Sequence, residues 1–264
     1  MAKIAIIGGT GVYDPKMLED IREASLDTPY GMISYKAGYY HGQEVIFIPR
    51  HGSGHTIPPH LINYRANIWG LKKLGTETII ATTAVGSLNL NMKPGDFVLV
   101  NQFLDFTKSR ISTFYEGGSR GVVHIDVTDP YCPALRSVLA KAAVAAGISV
   151  HESGVYVCTE GPRFETPAEI RAYAKLEGDL VGMTNVPEVV LAREAEMCYA
   201  TVSMVTNFAA GISLTPLTHA EVLETMAANT ENLKKLVMGA IEQLSHKEKC
   251  QCDQALKEFG GFKL

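Results

Sequence analysis

The chain has 264 residues, of which 46% are hydrophobic and 20% charged, and its formal net charge at pH 7 is −4. This composition excludes a disordered chain, and at this length about three quarters of the unfolded surface can be buried in a core. The mild negative charge gives no sign of a surface for nucleic acid or for an anionic membrane.

The sequence also carries no pattern that would direct it out of the cytoplasm. The apolar run at residues 4–7 is too short for a signal peptide and predicts a first strand instead. No apolar stretch reaches about 18 residues, so we expect no membrane-spanning helix. The five cysteines are too few and too scattered for a secreted disulfide scaffold. We therefore expect a cytoplasmic protein without a membrane or nucleic-acid partner.

Continuous apolar runs predict the strands of a buried sheet. Most of these runs do not alternate with polar residues, which is typical of a sheet covered on both faces. The predicted strands span residues 3–7, 44–49, 78–83, 97–102, 154–158, 180–183 and 200–206.

Helical patterns lie between these strands. Residues 60–74 and 133–146 have helical periodicity, and each segment stops at a glycine. Capping boxes predict further helices that begin after Thr166 and Thr218. Strands that alternate with helices predict the α/β class. We expect a single-domain layered fold over residues 1–264, with a central mixed, largely parallel sheet flanked by helices and with the tail 245–264 unassigned.

A glycine-rich turn, Gly8-Gly9-Thr10-Gly11, follows the first predicted strand. Glycines allow a close backbone approach to an anion, and free N–H groups are expected at such a strand end. The dinucleotide-binding fingerprint needs a third glycine where Asp14 stands, so it is not matched. A phosphate-contacting loop and a plain tight turn both remain open.

Polar residues follow the next two predicted strands as well. Arg50 and His51 come after the second strand, and Thr82 and Thr83 end the third. The fork of donors on arginine suits phosphate oxygens, and open α/β sheets place ligands at the carboxyl ends of their strands. An ordinary polar turn is the alternative. The spacing of the histidines at 51, 55 and 60 matches no common zinc pattern, so we expect no metal.

These three segments, in this order, resemble the trimeric purine nucleoside phosphorylase and methylthioadenosine phosphorylase family. The resemblance extends over nearly all of residues 1–244. It continues through Glu160-Gly161-Pro162-Arg163-Phe164-Glu165-Thr166, Gly182-Met183-Thr184, Val186-Pro187-Glu188-Val189 and Val205-Thr206-Asn207.

The resemblance implies the transfer of a nucleoside's sugar from the purine to inorganic phosphate, through an oxocarbenium-like transition state. No cofactor and no metal is implied, because phosphate is itself a co-substrate. The implied phosphate-binding residues are Thr10, Arg50, His51, Thr83, the backbone of Ala84 and Thr184. Each of them is expected to offer a hydrogen-bond donor to the dianion.

The residues implied at the purine separate the two branches of this family. The methylthioadenosine branch has aspartates at the positions of Asn207 and Ala209. An ionised Asp only accepts hydrogen bonds, whereas Asn207 can donate to O6 and accept from a protonated N7. The carboxylate of Glu165 suits the N1–H donor of a 6-oxopurine, and the dipole of the helix that follows is expected to favour its ionised form. We therefore predict hypoxanthine and guanine nucleosides as substrates, with Asn207 and His51 as the catalytic residues.

The remaining implied contacts surround the sugar and the faces of the base. Met183 is expected to line the sugar, Phe164 to form a wall beside the base, and Thr206 to contact the substrate. His219 corresponds to a histidine that binds the sugar 5′-hydroxyl. Residues 54–69, however, look like the methylthioadenosine branch, so S-methyl-5′-thioinosine or S-methyl-5′-thioadenosine is the alternative substrate.

The resemblance also bears on assembly and on the cysteines. His124 is implied to reach into the pocket of a neighbouring subunit, so we expect a homotrimer or a hexamer made of two trimers. Some relatives from hot environments have a disulfide at a Cys-x-Cys such as Cys250 and Cys252, and Cys132 with Cys198 could form another. Reduced thiols are the alternative.

Two functions from other classes compete with this interpretation. A dinucleotide-dependent oxidoreductase needs an acidic residue about 20 residues after the glycine turn. Glu23 and Asp27 lie near that distance, but no second strand is predicted to end there. A catalytically silent nucleoside-binding protein would have no need to keep Arg50, His51 and Asn207 together.

Overall fold

The computed structural model describes residues 3–9, 18–212 and 219–263. Over these ranges, eleven strands join in one mixed sheet, and helices cover both of its faces. This confirms the predicted α/β class and the layered architecture.

The strands are β1 Lys3–Gly8, β2 Glu19–Thr28, β3 Gly31–Tyr40, β4 Gln43–Pro49, β5 Thr76–Ser87, β6 Phe97–Leu99, β7 Gln102–Phe106, β8 Val150–His151, β9 Val155–Thr159, β10 Leu180–Gly182 and β11 Cys198–Phe208. The α-helices are α1 Tyr64–Lys73, α2 Pro133–Ala145, α3 Pro167–Lys175, α4 Asn185–Glu194 and α5 His219–Gln243.

The order of the strands places the ends of several of them side by side. The main path runs β2-β3-β4-β1-β5-β10-β9-β7, and β11 pairs with both β5 and β6. Strands β4, β1, β5 and β11 run parallel to their neighbours in this group, as do β10, β9 and β7. The carboxyl ends of β4, β1, β5 and β11 therefore form one edge, where open α/β sheets place their ligands. The second group runs the other way, because β10 is antiparallel to β5.

The core lies on both faces of the sheet, as the continuous apolar runs indicate. Along β1, Ile4 and Ile6 belong to one apolar cluster, whereas Ala5 and Ile7 belong to the other. The first cluster packs against α2 and α5 and the second against α1 and α4. Successive strand residues point to opposite faces, so a strand buried on both faces must be apolar throughout.

The β2–β3 hairpin is the main element that the apolar runs do not predict. Strand β2 is mostly exposed, and it pairs only with β3. The expectation that no strand ends near Glu23 and Asp27 was wrong, since both lie in β2. This strand is an antiparallel edge strand, separated from β1 by β3 and β4, so it does not build a dinucleotide-binding unit with the glycine turn.

The predicted helices are found, with small shifts at their ends. The segment 60–74 becomes a short 3-10 helix at Pro59–Leu61 followed by α1. The capping box at Thr166 is complete, because its hydroxyl accepts from the Glu169 N–H and the Glu169 carboxylate accepts from the Thr166 N–H. Thr218 lies outside the described residues. None of the helices described is both long and apolar enough to cross a membrane.

Candidate active site

A cavity of about 430 Å³ opens at the carboxyl edge of the central strands. It is lined by the residues that follow β4, by the ends of β5 and β11, and by the segments that follow β9 and β10. Most of the predicted site residues line it: Arg50, His51, Thr83, Ala84, Phe164, Glu165, Met183, Thr184, Thr206, Asn207 and Ala209. Segments far apart in the sequence therefore meet in one place.

The other predicted site residues are not placed in this cavity. Thr10 lies outside the described residues. His219 is the first residue of α5, but its side chain also lies outside the described part, while Val222 of the same helix lines the cavity. His124 does not line the cavity of its own chain. Its contact with a neighbouring subunit stays a prediction.

Arg50 is held rigidly at the floor of the cavity by a buried carboxylate. Its Nε and Nη2 atoms each donate to an oxygen of Glu188 at 2.7 Å, and both side chains are fully buried. Burial alone would lower the pKa of the Arg50 guanidinium, but the charge and hydrogen bonds of Glu188 outweigh burial and raise it. The Tyr199 hydroxyl also donates to Glu188 at 2.7 Å. A fully paired ion pair of this kind fixes the direction of the guanidinium.

The remaining side of this guanidinium faces the glycine turn. Arg50 Nη1 donates one hydrogen to the carbonyl of Thr82 at 2.9 Å, which leaves its second hydrogen for a ligand. A Cβ at Gly9 would come within 2.5 Å of the Thr82 carbonyl oxygen and 3.1 Å of Nη1. Only glycine therefore fits at position 9 beside the arginine. The Gly9 N–H donates to the Thr82 hydroxyl at 3.1 Å.

Two threonines add hydroxyl groups near the arginine. Thr83 is buried, and its hydroxyl is 2.8 Å from that of Ser203 on the neighbouring strand β11. Thr184 follows β10 and immediately precedes α4, and its backbone N–H donates to the buried Tyr156 hydroxyl at 3.3 Å. Regular helical geometry begins beyond Val186, so the positive end of the α4 dipole lies close to Thr184 and favours an anion there.

His51 differs from its expected role as a phosphate donor. Its Nδ1 is 2.9 Å from the carbonyl oxygen of Ile57, which only accepts, so Nδ1 carries the proton and the neutral ring leaves Nε2 as an acceptor. Burial lowers the pKa of His51 to about 4, and the nearby Arg50 and His55 act in the same direction. Through Nε2, a neutral His51 can thus accept a hydrogen bond from the hydroxyl of monohydrogen phosphate, and it cannot donate one to the phosphate.

Asn207 is aimed into the cavity by an irregularity in its strand. The register between β11 and β5 shifts between Val205 and Asn207, which is a bulge of the kind that redirects side chains beside active sites. Its Oδ1 accepts from the Thr206 hydroxyl, and its Nδ2 donates to the carbonyl of Phe208, both at 2.8 Å. One N–H and one lone pair of the carboxamide are left for a ligand.

Glu165 is more buried than its place before a helix predicts. Burial raises its pKa, although the Thr159 hydroxyl, which donates to Oε1 at 2.6 Å, acts in the opposite direction. The dipole of α3 is expected to favour the ionised form of this carboxyl, and desolvation, the largest effect on its pKa, opposes it. Its second oxygen is left to pair with a donor on a ligand.

Two residues that shape the site were not singled out from the sequence. Glu188 lies in the family segment Val186-Pro187-Glu188-Val189, but nothing in the sequence indicates that its carboxylate pairs with Arg50. Arg110 donates to the carbonyls of Glu160, Met183 and Val186, each at 2.7 Å, and so joins the segments after β9 and β10. Arg110 lies in an irregular stretch with no periodic signal, so only the fold reveals its position.

Among the residues that the structure describes, no cluster of metal ligands lines the cavity. The described residues contain one group of side chains close enough to hold a metal ion, and none of its members lines this cavity.

The chain is similar to known phosphorylases along almost its whole length. The sequence profile of the phosphorylase superfamily matches residues 3–242. A protein of Dictyoglomus turgidum named "Probable 6-oxopurine nucleoside phosphorylase" is 59% identical over 257 residues, which cover 97% of each chain. The "6-oxopurine nucleoside phosphorylase" of Pyrococcus furiosus is 55% identical over 262 residues, covering 97% of this chain and 98% of that protein.

Among solved structures, methylthioadenosine phosphorylase from Schistosoma mansoni in complex with adenine is similar over almost the whole fold. The TM-score is 0.92 at 34% sequence identity, and the alignment covers 98% of this chain and 97% of the other.

Proposed function

The chain belongs to the phosphorylase superfamily, and from that premise we propose that its cavity binds a 6-oxopurine nucleoside together with inorganic phosphate. It is an enzyme of the purine nucleoside phosphorylase type, a pentosyltransferase that converts inosine or guanosine and phosphate into the free base and a sugar 1-phosphate. The relatives named for this activity share 55–60% of its residues over nearly their full lengths. The observation that carries the assignment is the chemistry of the cavity. Hydrogen-bond donors suited to an anion lie at one end, and the side chains of Asn207 and Glu165, which suit a 6-oxopurine, lie at the other.

At the phosphate end, the chain supplies fixed donors. Arg50 offers its free Nη1 hydrogen, and Thr83 and Thr184 offer hydroxyl groups beside the α4 N-terminus. These groups hold a phosphate oxygen against the anomeric carbon of the sugar. A new C–O bond forms as the C–N bond to the purine breaks, and the bonding pair leaves with the base. Donors that need not reorganise stabilise the charged transition state most effectively.

At the purine end, the hydrogen-bonding groups match a 6-oxopurine. The free N–H of Asn207 donates to O6, and its free lone pair accepts from N7 once that atom is protonated. The open oxygen of Glu165 accepts from N1–H. A 6-aminopurine presents a bare acceptor at N1, so it would leave the buried carboxyl without a donor. Such a mismatch can discriminate by up to about 10⁴-fold.

Two kinds of substrate remain candidates, and they differ in the group at the 5′ position of the sugar. S-methyl-5′-thioinosine or S-methyl-5′-thioadenosine carries a thioether where inosine has a hydroxyl. A histidine donor at position 219 favours the hydroxyl, whereas an apolar side chain favours the thioether. His219→Met is therefore expected to shift the ratio of kcat/KM toward methylthio substrates, and an unchanged ratio would remove this residue from the 5′ subsite.

We also propose that the protein works in the cytoplasm as a homotrimer, or as a hexamer of two trimers. Large apolar side chains are exposed in the single chain, among them Val122 and Phe164, of which 63% and 52% of the surface is accessible. Exposed apolar surface of this kind commonly marks contacts between subunits. Val122 lies two residues from His124, the residue that would enter a neighbouring pocket.

A substrate panel tests the assignment directly. Inosine, guanosine, adenosine and the two methylthio-nucleosides are incubated with the enzyme, with and without phosphate, and the free bases and sugar phosphates are quantified. We expect inosine and guanosine to react only when phosphate is present. Cleavage of inosine without phosphate would contradict the phosphorolytic assignment. Adenosine cleavage at a comparable rate would contradict the 6-oxopurine assignment.

A further inference from the structure

Four of the five cysteines converge at one point outside the cavity. Cys132, Cys198, Cys250 and Cys252 place each Sγ within 4.8 Å of the other three, and we refer to them as the four-cysteine cluster. All five cysteines of the chain are free thiols in this structure. The family resemblance pairs Cys250 with Cys252 and Cys132 with Cys198, but no sequence pattern predicts that the two pairs meet.

The fold brings these segments together at the amino end of β11. Cys198 is the first residue of that strand. Cys132 immediately precedes α2, and its N–H donates to the carbonyl of Tyr199 at 2.8 Å. Cys250 and Cys252 lie in the tail that follows α5. Three of the four side chains are buried, and Cys250 is half-buried, so the sulfur atoms are largely shielded from water.

A positively charged side chain lies against the cluster. The Lys247 ammonium donates to Sγ of Cys250 at 3.3 Å and to Sγ of Cys198 at 3.5 Å. One ammonium cannot offset four thiolates in an apolar setting, and a divalent cation at their centre would.

We propose that the four-cysteine cluster is a structural metal site that takes a zinc-type divalent ion. Zinc prefers four thiolates in a tetrahedron, and Zn–S bonds of about 2.3 Å require sulfur atoms separated by about 3.8 Å. The Sγ atoms of Cys198 and Cys250 are 3.3 Å apart, and all pairs lie within 4.8 Å, so small side-chain rotations reach this geometry. Four protein ligands leave no open position, which is typical of structural rather than catalytic zinc.

The site would tie the tail to the sheet far from the reaction. Cys198 and Asn207 lie near opposite ends of β11, at a distance of about 30 Å along the strand. The metal would join the tail, the start of α2 and the start of β11. Its removal should therefore lower the stability of the fold without altering the chemistry at the cavity.

Metal content of the purified full-length enzyme tests this proposal. The protein is prepared under reducing conditions without chelator, incubated with Zn²⁺, freed of unbound ion by gel filtration and analysed by elemental mass spectrometry. We expect about one zinc per chain. Treatment with a strong chelator should remove it and lower Tm by about 5 °C or more, while activity at moderate temperature is retained.

The fifth cysteine provides a matched control. Cys158 is buried away from the cluster, and burial raises its pKa to about 12. Cys158→Ser should keep the bound zinc, whereas the double variant Cys250→Ser/Cys252→Ser should lose it. Wild-type protein that binds no zinc would overturn the proposal, whether or not the double variant folds. Fewer than five alkylated cysteines in denatured, unreduced protein would also overturn it, because disulfides would then occupy the cluster.

Discussion

The two ends of the cavity are built in opposite ways. At the phosphate end, Arg50, Glu188 and Thr83 are buried in the sheet and its covering helix, and the arginine is paired on two nitrogens. At the purine end, Glu165 stands in the segment after β9 and Asn207 at a strand bulge, both half-buried. In the proposed function, the part common to phosphorolysis therefore belongs to the core. The part that selects the base lies where a substitution changes few packing contacts.

Breaking the buried pair should have the largest effect. Arg50→Met removes a phosphate donor and leaves Glu188 as an uncompensated buried charge. We expect kcat/KM for inosine to fall by at least about 10³-fold and the free energy of unfolding to fall by about 3–5 kcal/mol. Steady-state kinetics and urea denaturation measure the two losses.

The double variant Arg50→Met/Glu188→Met separates the two roles of this pair. Removing both charges should restore much of the stability but none of the activity. Arg171→Met, on an exposed position of α3, is the control and should change neither quantity. A double variant as unstable as the single one would contradict the account of Glu188 as the partner whose charge Arg50 neutralises.

A change at the purine end should alter selectivity while it leaves the fold intact. Asn207→Asp replaces a group that donates and accepts with one that only accepts when ionised. We expect kcat/KM for inosine to fall by about 10²–10³-fold, with little change in the midpoint of unfolding. Kinetics with inosine and adenosine provide the measurement, and Asn91→Asp at an exposed position is the control. Undiminished turnover of inosine would remove Asn207 from the base subsite.

Glu165→Gln sharpens the same comparison with a smaller change. The amide keeps the hydrogen bond from Thr159 but loses the charge that the N1–H of the base would meet. We expect a fall of about 10–10²-fold in kcat/KM for inosine. The raised pKa of Glu165 also places its ionisation closer to neutral pH, so activity should decline on the acid side as this group is protonated. The Glu165→Gln variant should lack that decline, and Glu177→Gln at an exposed position should keep it.

His51 should show its buried state in the pH dependence of stability rather than in the choice of base. Its folded pKa of about 4 lies below the ordinary value of 6.5, so the unfolded chain binds more protons between these pH values. Stability is therefore fully present above pH 6.5 and falls as pH approaches 4, by about 3 kcal/mol. His51→Gln should flatten this decline in urea denaturation. The exposed His246→Gln should not, and an equal decline in both variants would contradict the buried neutral state.

The sequence predicts those parts of the molecule whose signal is local. Apolar runs predict the buried strands, and the capping box at Thr166 predicts the start of α3. The exposed β2–β3 hairpin has no such run, so its strands were missed. The family resemblance supplied most residues of the cavity, because its segments each follow a strand end.

Features that depend on burial or on distant partners were not predictable in this way. The proton on His51 Nδ1, the raised pKa of Glu165 and the pairing of Arg50 with Glu188 all arise from contacts across the fold. The same holds for Arg110 and for the four-cysteine cluster, whose members come from distant parts of the chain. Periodicity and spacing do not indicate which distant residues come into contact in the fold.

A crystal structure of the enzyme with hypoxanthine and phosphate tests the central claim most directly. The account predicts O6 and N7 of the base within hydrogen-bond distance of Asn207, N1 beside the carboxyl of Glu165, and phosphate against Arg50, Thr83 and Thr184. A base bound away from Asn207 and Glu165, or a phosphate that does not contact Arg50, would contradict it.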